Sequence, residues 1–224
     1  MRVTWIGQAG LIFKSSALTV LIDPYLSDSV AALDPAKKRR IPVAPALWQL
    51  QPDVLIFTHD HLDHFDPESA AHWLTADHPM LVLAPDSVWQ KARHYGGCHN
   101  YVRLSPGTQW TEGDIRFTAV KAEHSDPAAM GIVLEAEGKR YYVTGDTLYS
   151  TEVLASLPEG IDTVFLPVNG VGNNMNMVDA ARFAAACGAR EAVPLHIGLF
   201  DDLRAEDFPF DRRRILTVYR EEEL

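Results

Sequence analysis

Thr58-His59-Asp60-His61-Leu62-Asp63-His64 gathers three histidines and two aspartates into the six residues 59–64. Ahead of it, Asp53-Val54-Leu55-Ile56-Phe57 follows Pro52 as a short apolar run rich in branched residues. Such a run reads as a buried strand that delivers His59 to the edge of a sheet. On extended chain, His59 and His61 point the same way, and Asp63 and His64 swing round from the turn that follows. A lone histidine or aspartate in a loop is ordinarily a solvated residue. Five together are different, because crowded carboxylates and imidazoles cost desolvation and mutual repulsion unless a cation compensates. Imidazole and carboxylate are the usual ligands of zinc and similar ions. One loop can therefore serve two metal ions.

The chain around this loop has 224 residues and 47% apolar side chains, enough for one large domain with a well-buried core, which we take as residues 1–224. A formal net charge of −10 repels polyphosphates and disfavours nucleic acid as a partner, leaving a small molecule as the favoured substrate. The two cysteines, Cys98 and Cys187, have neither the number nor the spacing of a disulfide framework or a zinc ribbon. Reduced thiols in the cytoplasm are the default reading. The chain opens on Arg2-Val3-Thr4-Trp5-Ile6 without a secretion signal, and no apolar run is long enough to cross a bilayer. A cytoplasmic protein with no membrane association is expected; a homo-oligomer is compatible with all of this.

Taken in order, residues 2–6, 11–14 and 18–22 read as a meander of strands that stops at Asp23-Pro24, since proline cannot donate to a ladder. Asp23 is thus held at a strand end, where an aspartate can either build a turn or orient another side chain. Residues 25–45, which include the basic run Lys37-Lys38-Arg39-Arg40, lack either periodicity and read as a long loop beside the cleft. Asp66-Pro67 starts a helix that should run to about residue 77. A strand over residues 81–83, a helix over 86–95 stopped by Gly96-Gly97, and a strand over 100–104 follow. Strands are then expected over 109–111, 115–122, 131–135 and 140–144, a helix over 150–157 and a strand over 163–166. Asn176 caps a helix that Gly188 ends, residues 192–195 form a strand, and residues 215–219 form the last one. His72, His78, His94 and His99 fall outside any ligand pattern.

The 59–64 cluster matches the His-x-His-x-Asp-His signature and so resembles the metallo-β-lactamase superfamily. Ala122-Glu123-His124-Ser125, Thr144-Gly145-Asp146-Thr147 and Pro194-Leu195-His196-Ile197 supply, in order, the further ligands that the resemblance calls for. It implies an α+β fold, an αββα four-layer sandwich of two mixed sheets packed face to face with helices outside. It also implies two divalent ions, Zn2+ or Mn2+: one on His59, His61 and His124, the other on Asp63, His64 and His196, with Asp146 bridging both. Asp23 then becomes a carboxylate that orients a ligand imidazole.

Within the superfamily the chain looks most like the L-ascorbate-6-phosphate lactonase group. Trp5-Ile6-Gly7-Gln8-Ala9-Gly10, Ile22-Asp23-Pro24-Tyr25-Leu26-Ser27-Asp28, and Pro167-Val168-Asn169-Gly170 with Gly172-Asn173-Asn174-Met175 carry that likeness. The pattern departs from the group at two places: Val171 alone separates Gly170 from Gly172, and Ile197 follows His196. A metal-dependent hydrolase is expected in which two ions lower the pKa of a bridging water and a metal-bound hydroxide opens a small polar or sugar-derived lactone. Asp63 would carry the proton to the departing alkoxide. Asn169 and Asn174 would meet sugar hydroxyls, although Asn and Gly in such a stretch also suit plain turns. A ribonuclease or phosphodiesterase of the same superfamily, or a metal-bound module without catalysis, are the alternatives.

Overall fold

The computed structural model describes residues 1–198 and 201–224. Strands β1 (Arg2–Trp5), β2 (Leu11–Lys14) and β3 (Thr19–Ile22) form the expected antiparallel meander. To β3 the chain adds, all in parallel, β4 (Val54–Ile56), β5 (Leu81–Ala84) and β6 (Asn100–Arg103). A second sheet follows. It contains β7 (Gln109–Glu112), β8 (Ile115–Lys121), β9 (Met130–Ala136), β10 (Lys139–Val143), β11 (Thr163–Pro167) and β12 (Glu191–Leu195). There β7 to β10 are antiparallel neighbours and β10, β11 and β12 run parallel.

Side-chain alternation sorts the core into layers. In β4, Val54 and Ile56 belong to the cluster between the sheets, whereas Leu55 and the following Phe57 belong to a cluster on the opposite face. That outer cluster includes Trp73 and Leu74 of helix α2 (Pro67–Leu74) and Val88 of helix α3 (Asp86–Ala92). β10 does the same on the other sheet. The Tyr141 ring lies 6.2 Å from Phe13 between the sheets, and the Tyr142 ring lies 6.4 Å from Phe183 on the far side. Because both faces of each sheet are covered, β4 reads as an unbroken apolar run rather than an alternating one. The two mixed sheets therefore pack face to face with helices outside, as expected.

The helices have identifiable caps. Asp66 accepts from the Ser69 amide at the start of α2, with Pro67 at the first helical position. Asn176 accepts from the Val178 and Asp179 amides at the start of a helix over Met177–Ala186. Helix α2 ends at Leu74, short of residue 77, where Thr75 Oγ1 turns back to donate to the Ala71 carbonyl.

Two expectations fail. Residues 25–45 are not a plain loop: they hold a short helix, α1 (Ser29–Leu33), and a 3-10 turn (Pro35–Lys37) whose Ala36 amide donates to Asp34. α1 buries none of its residues, so no apolar period marks it in the sequence. The last strand is not residues 215–219, where Tyr219 takes a left-handed φ of 64° and breaks the extended path. It is β13 (Glu221–Glu223), antiparallel to β1. Three glutamates make a poor strand by propensity, but Glu221 meets Arg2 and Lys14 at 2.6 and 2.8 Å, which offsets their repulsion at this sheet edge.

Candidate metal centre

Strand direction explains why one end of the sandwich is chemically loaded. β1, β3 and β4 run the same way in the first sheet and β8, β10, β11 and β12 in the second, so the segments that follow them emerge together. They carry Gln8, Asp23, His59 to His64, His124, Asp146, Asn169 to Asn174 and His196. Three overlapping sets of ligand atoms, each within 4.8 Å of one another, result: His59, His61 and His124; His59, His64 and Asp146; and Asp63, His64 and His196. All seven metal-ligand candidates of the sequence are in them.

Distances within the cluster are short. His61 Nδ1 lies 3.1 Å from both His59 Nε2 and His124 Nε2. Asp146 Oδ2 is 3.2 Å from His196 Nε2 and 3.9 Å from His59 and His124, while its Oδ1 is 3.3 Å from His64 Nε2. Asp63 Oδ2 stands 3.3 Å from His196 Nε2 and 3.9 Å from His64 Nε2.

Three of the five rings are held from behind at Nδ1 by an oxygen atom. Thr58 Oγ1 lies 3.0 Å from His59 Nδ1, the Asn173 carbonyl 3.3 Å from His124 Nδ1, and Asp23 Oδ2 2.8 Å from His64 Nδ1. A carbonyl or carboxylate at Nδ1 keeps the proton there and leaves Nε2 free to ligate. Asp23 itself, with a left-handed φ of 44°, also accepts from the Thr58 amide and hydroxyl at 2.8 and 2.6 Å. It ties the end of β3 to the loop after β4. Gly145, at φ 60°, allows the corresponding approach on the other sheet, because a Cβ there would lie 2.9 Å from Thr58 Cβ.

The donors fit a divalent cation. His61 Nδ1 lies 3.1 Å from two other imidazole nitrogens, those of His59 and His124, and their facing lone pairs repel unless a cation stands between them. Asp146 Oδ1 is buried and makes no hydrogen bond. Electrostatics point the same way. Burial holds His59 well below the ordinary histidine range. Burial would also lower His196 and His64, but Asp146 and Asp63, joined at His64 by Asp23, outweigh it, pushing His196 up to about 10 and His64 well up. Burial works against ionised Asp63 and Asp146, yet the facing histidines keep both below the ordinary carboxylate range. The cluster already balances negative charge with positive charge, which is the task of a bound cation.

Asn169 and Asn174 both border the cleft, but their amides face inward: Asn169 Nδ2 lies 2.9 Å from His196 Nδ1, and Asn174 Nδ2 donates to Asp146 Oδ2 at 2.8 Å. The basic run divides. Lys37 borders the cleft, Arg39 donates to the Tyr25 carbonyl and lies over the Tyr25 ring, and Arg40 pairs with Asp201 at 2.8 Å. Gln8 and Asp126 carry no role in the sequence reading. Gln8 donates to Asp63, and Asp126 accepts from the Asp60 amide and from Ser87, pinning the histidine loop from outside. A polar side chain between Gly7 and Gly10 at a strand end is the only signal that marked Gln8; Asp126 had none.

The profile of the beta-lactamase superfamily domain matches residues 19–197. The chain belongs to this family. A UPF0173 metal-dependent hydrolase from Ligilactobacillus salivarius is 29% identical over 221 residues, covering 92% of this chain and 89% of its own. Another, from Geobacillus sp. (strain WCH70), is 29% identical over 226 residues, with 94% and 91% covered. Among solved structures, the isothiocyanate hydrolase from Delia radicum gut bacteria has a TM-score of 0.78 at 19% identity, over 100% of this chain and 99% of its own. That last likeness concerns fold alone. Together with the His/Asp cluster, these matches make the protein a metal-dependent hydrolase of the metallo-β-lactamase superfamily. They reach a coarser grouping than the lactonase group that its motifs resemble.

Proposed function

We propose that this hydrolase opens a small polar lactone, with His59, His61 and His124 holding one divalent ion, Asp63, His64 and His196 the other, and Asp146 bridging them. The observation that carries the reading is the convergence of these donors beside a cleft of about 250 Å³, bordered by His61, Asp63, Asp146 and His196. A space of that size suits a small ring rather than a polymer. Zn2+ or Mn2+ bound there supplies a water of lowered pKa and polarises a carbonyl oxygen.

The chain's own residues do the rest. Asp63 is the cleft carboxylate with partial exposure, 19% of its side chain, and it stands where it can take a proton from attacking water. The same group then passes that proton to the departing alkoxide. Asn169 and Asn174 hold His196 and Asp146, so contacts to substrate hydroxyls fall mainly to Ser125 and Asn173 at the cleft. Apart from histidine, Lys37 is the one cationic side chain bordering this cleft among the described residues, too little for a nucleic-acid backbone.

A hydrolysis screen of metal-loaded protein across lactones, linear esters, phosphodiesters and RNA tests the reading. Metal-dependent turnover of sugar-derived lactones is the expected result. Efficient cutting of RNA or phosphodiesters with no lactone turnover would overturn it.

A further inference from the structure

Gln8 is 1% exposed, sits in the turn after β1 and has a left-handed φ of 50°, a conformation that costs a non-glycine residue free energy. Its backbone is fixed on both sides: the Gln8 carbonyl accepts from Trp5 Nε1 at 2.9 Å and from the His196 amide at 3.0 Å. Its side chain is oriented just as firmly. Oε1 accepts from the Ala9 amide at 2.5 Å, which determines which end of the carboxamide faces the centre. Nε2 therefore points inward, donating to Asp63 Oδ2 at 2.8 Å and lying 2.9 Å from His196 Nε2.

A carboxamide nitrogen has two hydrogens, and here each faces a donor atom of the same cation group. Asp63 comes from the loop after β4 and His196 from the end of β12, so the two belong to different sheets. We propose that Gln8 is the positioning residue of that group, an amide clasp that sets the spacing between Asp63 and His196. The inference rests on Asp63, His64 and His196 holding an ion. A cation on His196 Nε2 would take the lone pair of that nitrogen, so in the loaded group the Gln8 hydrogen facing His196 has no acceptor there, while the other stays on Asp63.

The hydrogen bond to Asp63 also limits how that carboxylate moves. With Oδ2 held by the Gln8 donor, the carboxylate stays turned towards His196, the geometry that ligation requires. A residue that merely filled space would do none of this.

Calorimetric titration of Zn2+ into chelator-treated protein, wild type against Gln8→Met, reads the effect directly. Methionine matches the volume and bears the same backbone strain but has no donor. One of the two ions should lose about 10- to 100-fold in affinity while the other is unchanged, the range usual for partners that orient a metal ligand. In wild type labelled at glutamine side chains, the Gln8 amide resonances should shift with that ion and not with the other, a readout that needs no variant. Two Zn2+ bound with equal affinity in Gln8→Met and wild type, or Gln8 resonances unmoved by either ion, would overturn the proposal alone. Wild type that binds a single ion without moving the Gln8 resonances would remove the Asp63 group, and the proposal with it.

Discussion

Asp146 stands between the two halves of the proposed centre. Its Oδ2 takes a hydrogen bond from Asn174 and lies near His59, His124 and His196, while Oδ1 is turned to His64. Asp146→Asn keeps the volume and removes the charge, so metal content measured by mass spectrometry should fall for both ions. Retention of one ion at the wild-type level would show that the bridge serves only one of them. The titrations of the cluster give a second expectation, for protein stripped of metal by chelation. His64 and His196 have raised pKa values, so what they add is fully present below the unfolded value of 6.5 and is lost as pH rises, for His196 through about 10. His59 and His124 are lowered, chiefly by burial, so their contribution is present above 6.5 and lost as pH falls. Asp63 and Asp146 are also lowered and contribute above their ordinary 3.8. The midpoint of thermal unfolding of chelated protein should therefore peak near pH 6.5 and decline on both sides. A midpoint flat from pH 5 to 9 would contradict these assignments.

At the level of elements, the centre is a set of turns that must approach one another closely. Gly145 stands between β10 and Asp146 at φ 60°, with the Met130 carbonyl 3.1 Å and Thr58 Cβ 2.9 Å from where a Cβ would be. Gly145→Ala pays for the left-handed backbone, about 1–2 kcal/mol, before any clash. For a chain of this length that amounts to a fall of at least about 2 °C in unfolding midpoint. Because the clash is with the residue before His59, metal affinity should fall as well. An unchanged midpoint with unchanged affinity would mean that the turn has room to relax. The histidine loop itself is secured at its outer side, where Lys91 meets Asp60 at 2.5 Å and Asp126 accepts from the Asp60 amide at 3.0 Å. These contacts come from α3 and from the segment after β8, so the loop's shape is not a local property.

For the whole molecule, charge decides which substrates reach the cleft. A net charge of −10 offers no long-range attraction to an anionic polymer, and of the basic run only Lys37 borders the cleft. Lys37→Ala should raise KM for anionic lactones, leave kcat nearly unchanged and leave neutral lactones untouched, the pattern of lost uniform binding. An equal effect on neutral substrates would assign Lys37 a role other than charge. The sequence by itself determined the layers and the chemistry. The run Val54-Leu55-Ile56-Phe57 reads as a strand buried on both faces, and His59 to His64 as a metal loop, because burial pattern and ligand type are local properties of a chain. His124, Asp146 and His196 were legible only through resemblance, since each is a lone residue at a strand end. α1 and β13 were not legible: one buries nothing, and the other is three glutamates that pair only because Arg2 and Lys14 face Glu221. Tertiary structure alone decided what Gln8, Asn169 and Asn174 touch. A side-chain amide carries no signature of its partner, and residues 27 to 188 positions apart meet only once parallel strands bring their ends to one edge.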